Sequence, residues 1–256
     1  MTLSLSDHTE FVLAIAPALG IPVTREHLEV NGENGPALIH ELGAQHGARV
    51  HLFTAPAGKL SIDYRATLAG RGVPTSVTEL ERIEYLRPSR YVQSDTLTGF
   101  ARSTFPGLKG ADLIRAVGDW VHDRLRYDFM ASPPGGDAIT TLDAGAGVCR
   151  DFAHLTAALL RAMDVPARIT SVYAPQLNPM DFHAVVEAAL DDRWVVVDST
   201  RLAPRTGLVR IATGRDAADT AFLTNTHADI DLVLLNVTAS SDTFLIEDPD
   251  EFVEIG

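Results

Sequence analysis

The hydrophobic positions change period twice along the chain. "FVLAIA", "RVHLFTA" and "KLSIDYRATL" are short apolar runs with partial alternation, separated by turn-forming stretches such as "NGENGP" and "PAGK". Alternation with a period of two marks a half-buried strand, so the chain up to about Thr78 is predicted to be β-rich. From Ala111 to Leu125 the period lengthens. Leu113, Ile114, Val117, Trp120, Val121 and Leu125 fall on one face of an amphipathic helix that opens after "PGLKG". A Gly/Pro-rich stretch, "ASPPGGDAITTLDAGAG", is predicted to be a loop. A second helix then runs from roughly Cys149 to Met163 on Phe152, Leu155, Leu159, Leu160 and Met163, with Pro166 just past its end, where it breaks no helical hydrogen bond.

Beyond Pro166 the strand pattern returns. "ARITSVYA", "FHAVVEAAL" and "RWVVVDST" are rich in β-branched and aromatic residues, and Asp191-Asp192 reads as a tight turn between the last two. The later runs "GLVRIATG", "DLVLLNVTA" and "DTFLIED" are predicted to extend the same sheet. Strands, then helices, then antiparallel strands predict an α+β fold with helices packed on one face of a sheet.

Composition narrows the function classes. The 256 residues are 46% hydrophobic and 21% charged, the balance of a globular protein with a sizeable core. The 34 acidic and 21 basic residues leave a formal charge of −13, and no Lys/Arg cluster with interleaved aromatics offsets it, which argues against nucleic acid or an anionic membrane as partner. A single cysteine excludes an internal disulfide. The start "MTLSLSDHTE" lacks a basic leader, and the early apolar run from Phe11 to Ile21 is interrupted by Pro17, so a cytoplasmic location is expected.

That cysteine, Cys149, stands in "GAGVCRDFAHLTAALLRAMDVPAR". A lone free cysteine is ordinarily a small, buried, apolar residue. Its position points elsewhere. A glycine-flanked loop, with Gly145 and Gly147, delivers Cys149 to the first turn of a helix, where unpaired N–H groups and the helix dipole favour a thiolate and can hold a developing oxyanion.

The hairpin contributes a second observation. With Asp191-Asp192 as a two-residue turn, Leu190 faces Arg193, and counting outward puts Val185 opposite Asp198. His183 and Asp198 then become diagonal neighbours on one face. A turn one residue longer would send them to opposite faces. A cysteine at a helix start with a His–Asp pair supplies a nucleophile, a base and a group to orient the base.

"GVCRDFAHLTAALLRAMDVPARI", "DFHAVVEAAL" and "RWVVVDSTRLAP" together resemble the core of the bacterial transglutaminase-like superfamily, which is papain-like in architecture. The resemblance covers about Leu113 to Pro204, and the preceding β-rich part is similar to the N-terminal β domain that accompanies many such cores. It implies an N-terminal β-rich domain over residues 1–95, and over 96–256 a transglutaminase-like core with C-terminal antiparallel strands. It also implies Cys149 as nucleophile, His183 as base and Asp198 as orienting acid. Many members carry Trp two residues after the histidine, where this chain has Val185, and Pro after the acid, where it has Ser199. Because the superfamily holds crosslinking acyltransferases, proteases, peptide:N-glycanases and inactive scaffolds, the resemblance implies the chemistry more than the substrate.

The resulting expectation is a cysteine protease, amidase or acyltransferase that works without cofactor or metal on a peptide, protein or small amide. Hydrolysis is slightly favoured over transfer to an amine. The alternative of another class is a catalytically idle interaction module of the same fold. Tyr127, in "RLRYDF", is a candidate for the wall of the acyl site. His154, five residues and about 140° round the helix from Cys149, is expected to be structural, as is His122. No Cys/His/carboxylate spacing suggests zinc, and "GRDAADTAF" reads as a turn and surface segment.

Overall fold

The computed structural model describes residues 1–133 and 135–256. In chain order the N-terminal strands are β1 (Thr2–Leu5), β2 (Thr9–Leu13), β3 (Val23–Gly32), β4 (Gly35–Pro36), β5 (His40–Gly43), β6 (Arg49–Ala55) and β7 (Gly58–Leu68). Three helices follow, α1 (Glu79–Glu84), α2 (Ser94–Thr104) and α3 (Gly110–Arg124). Next come β8 (Arg126–Tyr127), α4 (Ala138–Ala144), β9 (Ala146–Gly147) and α5 (Cys149–Ala162). The chain then forms β10 (Ala167–Tyr173), β11 (His183–Leu190), β12 (Arg193–Val197), β13 (Val209–Gly214), α6 (Ala217–Thr220), β14 (Leu223–Thr226) and β15 (Ile230–Leu234).

The N-terminal strands form two antiparallel sheets, ordered β15-β1-β7-β3-β4 and β14-β2-β6-β5. Alternation decides what they bury. β2 is buried at every second residue, and Phe11, Leu13, Phe53 and Ala55 of one sheet share a core with Leu3, Leu5, Val30, Leu60 and Ile62 of the other.

The second core gathers around α5, which is buried continuously from Asp151 to Ala162. Its Leu155, Leu159 and Leu160 meet Val117 and Val121 of α3, Leu97 and Ala101 of α2, and Ile169, Val186, Val195 and Val197 of the antiparallel sheet β12-β11-β10-β13. α5 is central although it carries Asp151, His154, Thr156 and Arg161, because each of these buried polar side chains finds a hydrogen-bond partner. The class is therefore α+β, as the pattern of periods predicts.

Three expectations need correction. "DLVLLNVTA" does not extend the core sheet. Its β15 pairs with β1 (Leu5↔Ile230), and β14 pairs with β2 (Leu13↔Leu223), so the chain returns to close the edges of the N-terminal sheets. "DTFLIED" forms no strand, and Phe244 and Ile246 are exposed. The segment expected to be a continuous loop before Cys149 contains α4, opened by a capping box between Asp137 and Thr140 and closed by Gly145 in the left-handed region at φ 62°. "GLVRIATG" does join the core sheet, as β13 against β10.

Candidate active site

Cys149 is the first residue of α5, and the local sequence accounts for its placement. Asp151 lies in the first turn and reaches back, its Oδ2 accepting the Val148 N–H at 2.9 Å, so one of the four unpaired N–H groups of the helix start is satisfied by a side chain. The Asp151 carboxylate is packed directly over Gly147, where a Cβ would come within 2.6 Å of the Asp151 Cβ. Gly147 thus has no side chain because the cap occupies that space. Arg150 holds Asp151 Oδ1 through Nε and Nη2, at 3.1 and 2.9 Å, and donates to Ser132 Oγ and the Pro133 carbonyl. The residues flanking the thiol are pinned on both sides.

A short parallel ladder does the rest. β8 pairs with β9, Tyr127 opposite Gly147, with Asp128 N–H donating to the Gly147 carbonyl at 2.9 Å. The half-buried Tyr127 ring packs against Phe152 and edge-on against Phe129. Burial, and then the neighbouring Cys149, push its phenol up. Tyr127 therefore stands beside the thiol.

The hairpin arrives from the other side. Leu190 faces Arg193 and Val186 faces Val197, the register of a two-residue turn, with Asp191 at φ 54° in the left-handed region that aspartate tolerates. The same register extended puts Asp198 beside His183, and the His183 Nε2 to Asp198 Oδ2 distance is 2.8 Å. Both side chains are almost wholly buried. The other carboxylate oxygen of Asp198 accepts from the Thr200 N–H and hydroxyl, at 3.0 and 2.7 Å.

Burial by itself would push the His183 imidazole down. The Asp198 charge and hydrogen bond, with a further contribution from Cys149, outweigh it and raise the pKa to about 10. In the reverse sense burial would raise Asp198, and His183 and Thr200 hold it below the ordinary aspartate value. Both shifts favour the imidazolium–carboxylate form of the pair. With Nε2 committed to Asp198, Nδ1 has no protein hydrogen-bond partner among the described residues. The Cys149 sulfur, half-buried, lies 3.9 Å from the Phe182 carbonyl oxygen, next to His183 in the chain.

Residues 99–199 match the Transglutaminase-like superfamily. The crystal structure of a "putative cysteine protease" from Cytophaga hutchinsonii is similar over 95% of this chain and 91% of that one, at 31% identity and a TM-score of 0.80. The chain belongs to the transglutaminase-like superfamily. An uncharacterised protein of Mycobacterium leprae is 24% identical over 165 residues, and the match spans 59% of this chain and 59% of that protein's length.

Within this transglutaminase-like frame the Cys149 sulfur neighbours Tyr127 and the Phe182 carbonyl that leads into His183, and His183 is bonded to Asp198. The two positions that depart from the common family pattern lie elsewhere. Val185 is buried with Val172 and Val196, and the Ser199 hydroxyl bonds Thr156 Oγ1 at 2.8 Å. His154 faces away from the thiol, fully buried, stacked on Tyr91 and accepting the Ala217 N–H at 3.1 Å. His122 Nδ1 is 3.0 Å from the Ser199 carbonyl oxygen and takes no part in the cleft. "GRDAADTAF" is more than a surface turn, since Asp216 is buried, caps α6 and accepts the Tyr91 N–H. Two residues near the thiol, Asp151 and Asp181, escaped the sequence reading. For Asp151 the signal was present, an acid in the first turn of a helix. For Asp181 it was a carboxylate two residues before the candidate base.

Proposed function

We propose that the protein is a thiol enzyme that cleaves or transfers the acyl group of an amide or peptide through a thioester. The observation that carries this reading is the buried His183–Asp198 ion pair, with the Cys149 thiol at a helix start in contact with the carbonyl of the residue just before His183. Cys149 sulfur attacks the carbonyl carbon, and the tetrahedral oxyanion takes hydrogen bonds from N–H groups at the start of α5. As the C–N bond breaks, His183 gives its proton to the departing amine. Asp198 keeps the imidazole oriented and stabilises its charged form. Water, deprotonated by His183, then cleaves the thioester and restores the thiol, or an amine takes the acyl group instead.

Tyr127, beside Cys149 and half-buried, is the proposed wall of the acyl site. Hydrolysis is favoured over transfer because the similar Cytophaga protein is described as a "putative cysteine protease". A peptide or protein amide is the proposed substrate class. Incubation with a peptide amide library and a labelled primary amine, followed by mass spectrometry, tests the proposal. It requires an acyl adduct on Cys149 and release mainly as carboxylic acid. Absence of any adduct on folded protein rejects catalysis, and predominant amine conjugates reject hydrolysis in favour of an acyltransferase.

A further inference from the structure

The acids buried in this molecule are well supplied with donors. Glu187 is held by Arg168, Arg210 and Thr170, Asp198 by His183 and Thr200, Asp151 by Val148 N–H and Arg150, and Asp216 by the N–H groups of Tyr91 and Ala218. Asp181 is different. It is half-buried in the bend just before β11, and its Oδ1 accepts one hydrogen bond, from the Phe182 N–H at 2.7 Å. Among the described residues no Lys or Arg lies within ion-pair distance of it, and its second oxygen has no protein donor.

The surroundings of that oxygen matter. The next residue's carbonyl is the one 3.9 Å from the Cys149 sulfur, and the residue after that is His183. Asp181 is close enough for its charge to act on both His183 and Tyr127, the residues that neighbour the thiol. Burial pushes its carboxyl up, and the Phe182 N–H and the charge of His183 only partly offset that push. Arg150, the cation next to Cys149 in the chain, is already occupied by Asp151, Ser132 and Pro133.

We infer that Asp181 determines specificity: its carboxylate, on the segment whose next carbonyl touches the Cys149 sulfur and with one oxygen unpaired among the described residues, receives an organic ammonium group of the substrate next to the amide under attack. This rests on the reading of Cys149 as the nucleophile. A half-buried carboxylate costs desolvation that one backbone N–H only partly offsets. An incoming ammonium supplies the missing charge and hydrogen bonds, so an amide bearing one binds more tightly than its neutral analogue. The chain's single cysteine makes the field at that spot measurable without knowing the substrate.

The experiment compares rates of modification of Cys149 in the intact protein by trimethylammonioethyl, sulfonatoethyl and methyl methanethiosulfonates, which are cationic, anionic and neutral. In Asp181→Asn the ratio of cationic to anionic rates should fall roughly tenfold, the effect of removing one nearby charge from a half-wet cleft on two oppositely charged reagents. Asp181→Asn keeps an oxygen for the Phe182 N–H, so the neutral reagent serves as the internal control, and Asp181→Glu should preserve the ratio. A ratio unchanged within about twofold in Asp181→Asn overturns the inference. If the neutral reagent reacts with the wild type no faster than with a free cysteine peptide, the nucleophile reading fails, while the charge ratio still decides the role of Asp181.

Discussion

Replacing Asp151 with alanine removes the cap on the helix that carries the thiol. In the wild type one Asp151 oxygen accepts the Val148 N–H at 2.9 Å and the other is held by Arg150 at 2.9 and 3.1 Å, while the side chain is almost wholly buried. Loss of the cap costs about 1 kcal/mol, and loss of a charge-assisted bond in a part-buried setting about 2 more, so a total of about 3 kcal/mol is expected. For a chain of this length that corresponds to a fall in Tm of roughly 6–12 °C. Asp151→Asn keeps an acceptor for Val148 and loses the ionic partner of Arg150, so it should fall about half as far. Differential scanning calorimetry of the three proteins at pH 7 reads this directly. A fall below ~2 °C for Asp151→Ala would mean that the cap does not hold the helix start, and the structural explanation of Gly147 would go with it.

Four further outcomes follow from the same geometry. Glu187, fully buried between Arg168 and Arg210, is held down to about pKa 2 by those two guanidiniums against the upward push of burial. Glu187→Gln strands two buried cations and should cost about 3–5 kcal/mol, lowering Tm by roughly 10 °C in a thermal melt. Its contribution is whole above about pH 4.5 and is lost as pH falls toward 2, so the wild-type melt should drop across that window more steeply than that of Glu187→Gln. His154, pushed down to about 4 by burial, stays neutral in the fold, so its contribution is present above pH 6.5 and lost as pH falls through about 4. His154→Ala should lower Tm yet leave alkylation of Cys149 unchanged in the folded protein, and loss of reactivity would transfer the base's role away from His183. His183 has the opposite sign: with its pKa raised to about 10, the ion-pair contribution is whole below pH 6.5 and is lost as pH rises through 10, a decline in urea stability that Asp198→Asn should abolish.

The strands and helices that depend on local periodicity were legible from residue types alone. α3 and α5 fall within one residue of the expected spans, Ala111–Leu125 and Cys149–Met163. The Asp191-Asp192 turn carried the register from Leu190–Arg193 out to His183–Asp198, because a period of two propagates without error along a regular hairpin. α2 was invisible for the opposite reason. "SDTLTGFARST" is made of weak helix formers, and tertiary burial of Leu97 and Ala101 against α5 outweighs propensity. The destination of "DLVLLNVTA" could not be read either, since its pattern marks a strand but not a partner, and here the partner is β1, more than 220 residues away in the chain. The surroundings of Asp181 are equally non-local, a matter of which cations happen not to reach it.

The most direct test of the account is the rate at which iodoacetamide alkylates Cys149 between pH 5 and 9, in the wild type and in His183→Ala. A thiol paired with an imidazolium is nucleophilic well below the ordinary thiol range. The account predicts rapid alkylation of the wild type already at pH 6, and in His183→Ala a slow reaction that rises only near pH 8.5, as for a free cysteine. Identical profiles for the two proteins, both following an ordinary thiol titration, would contradict it.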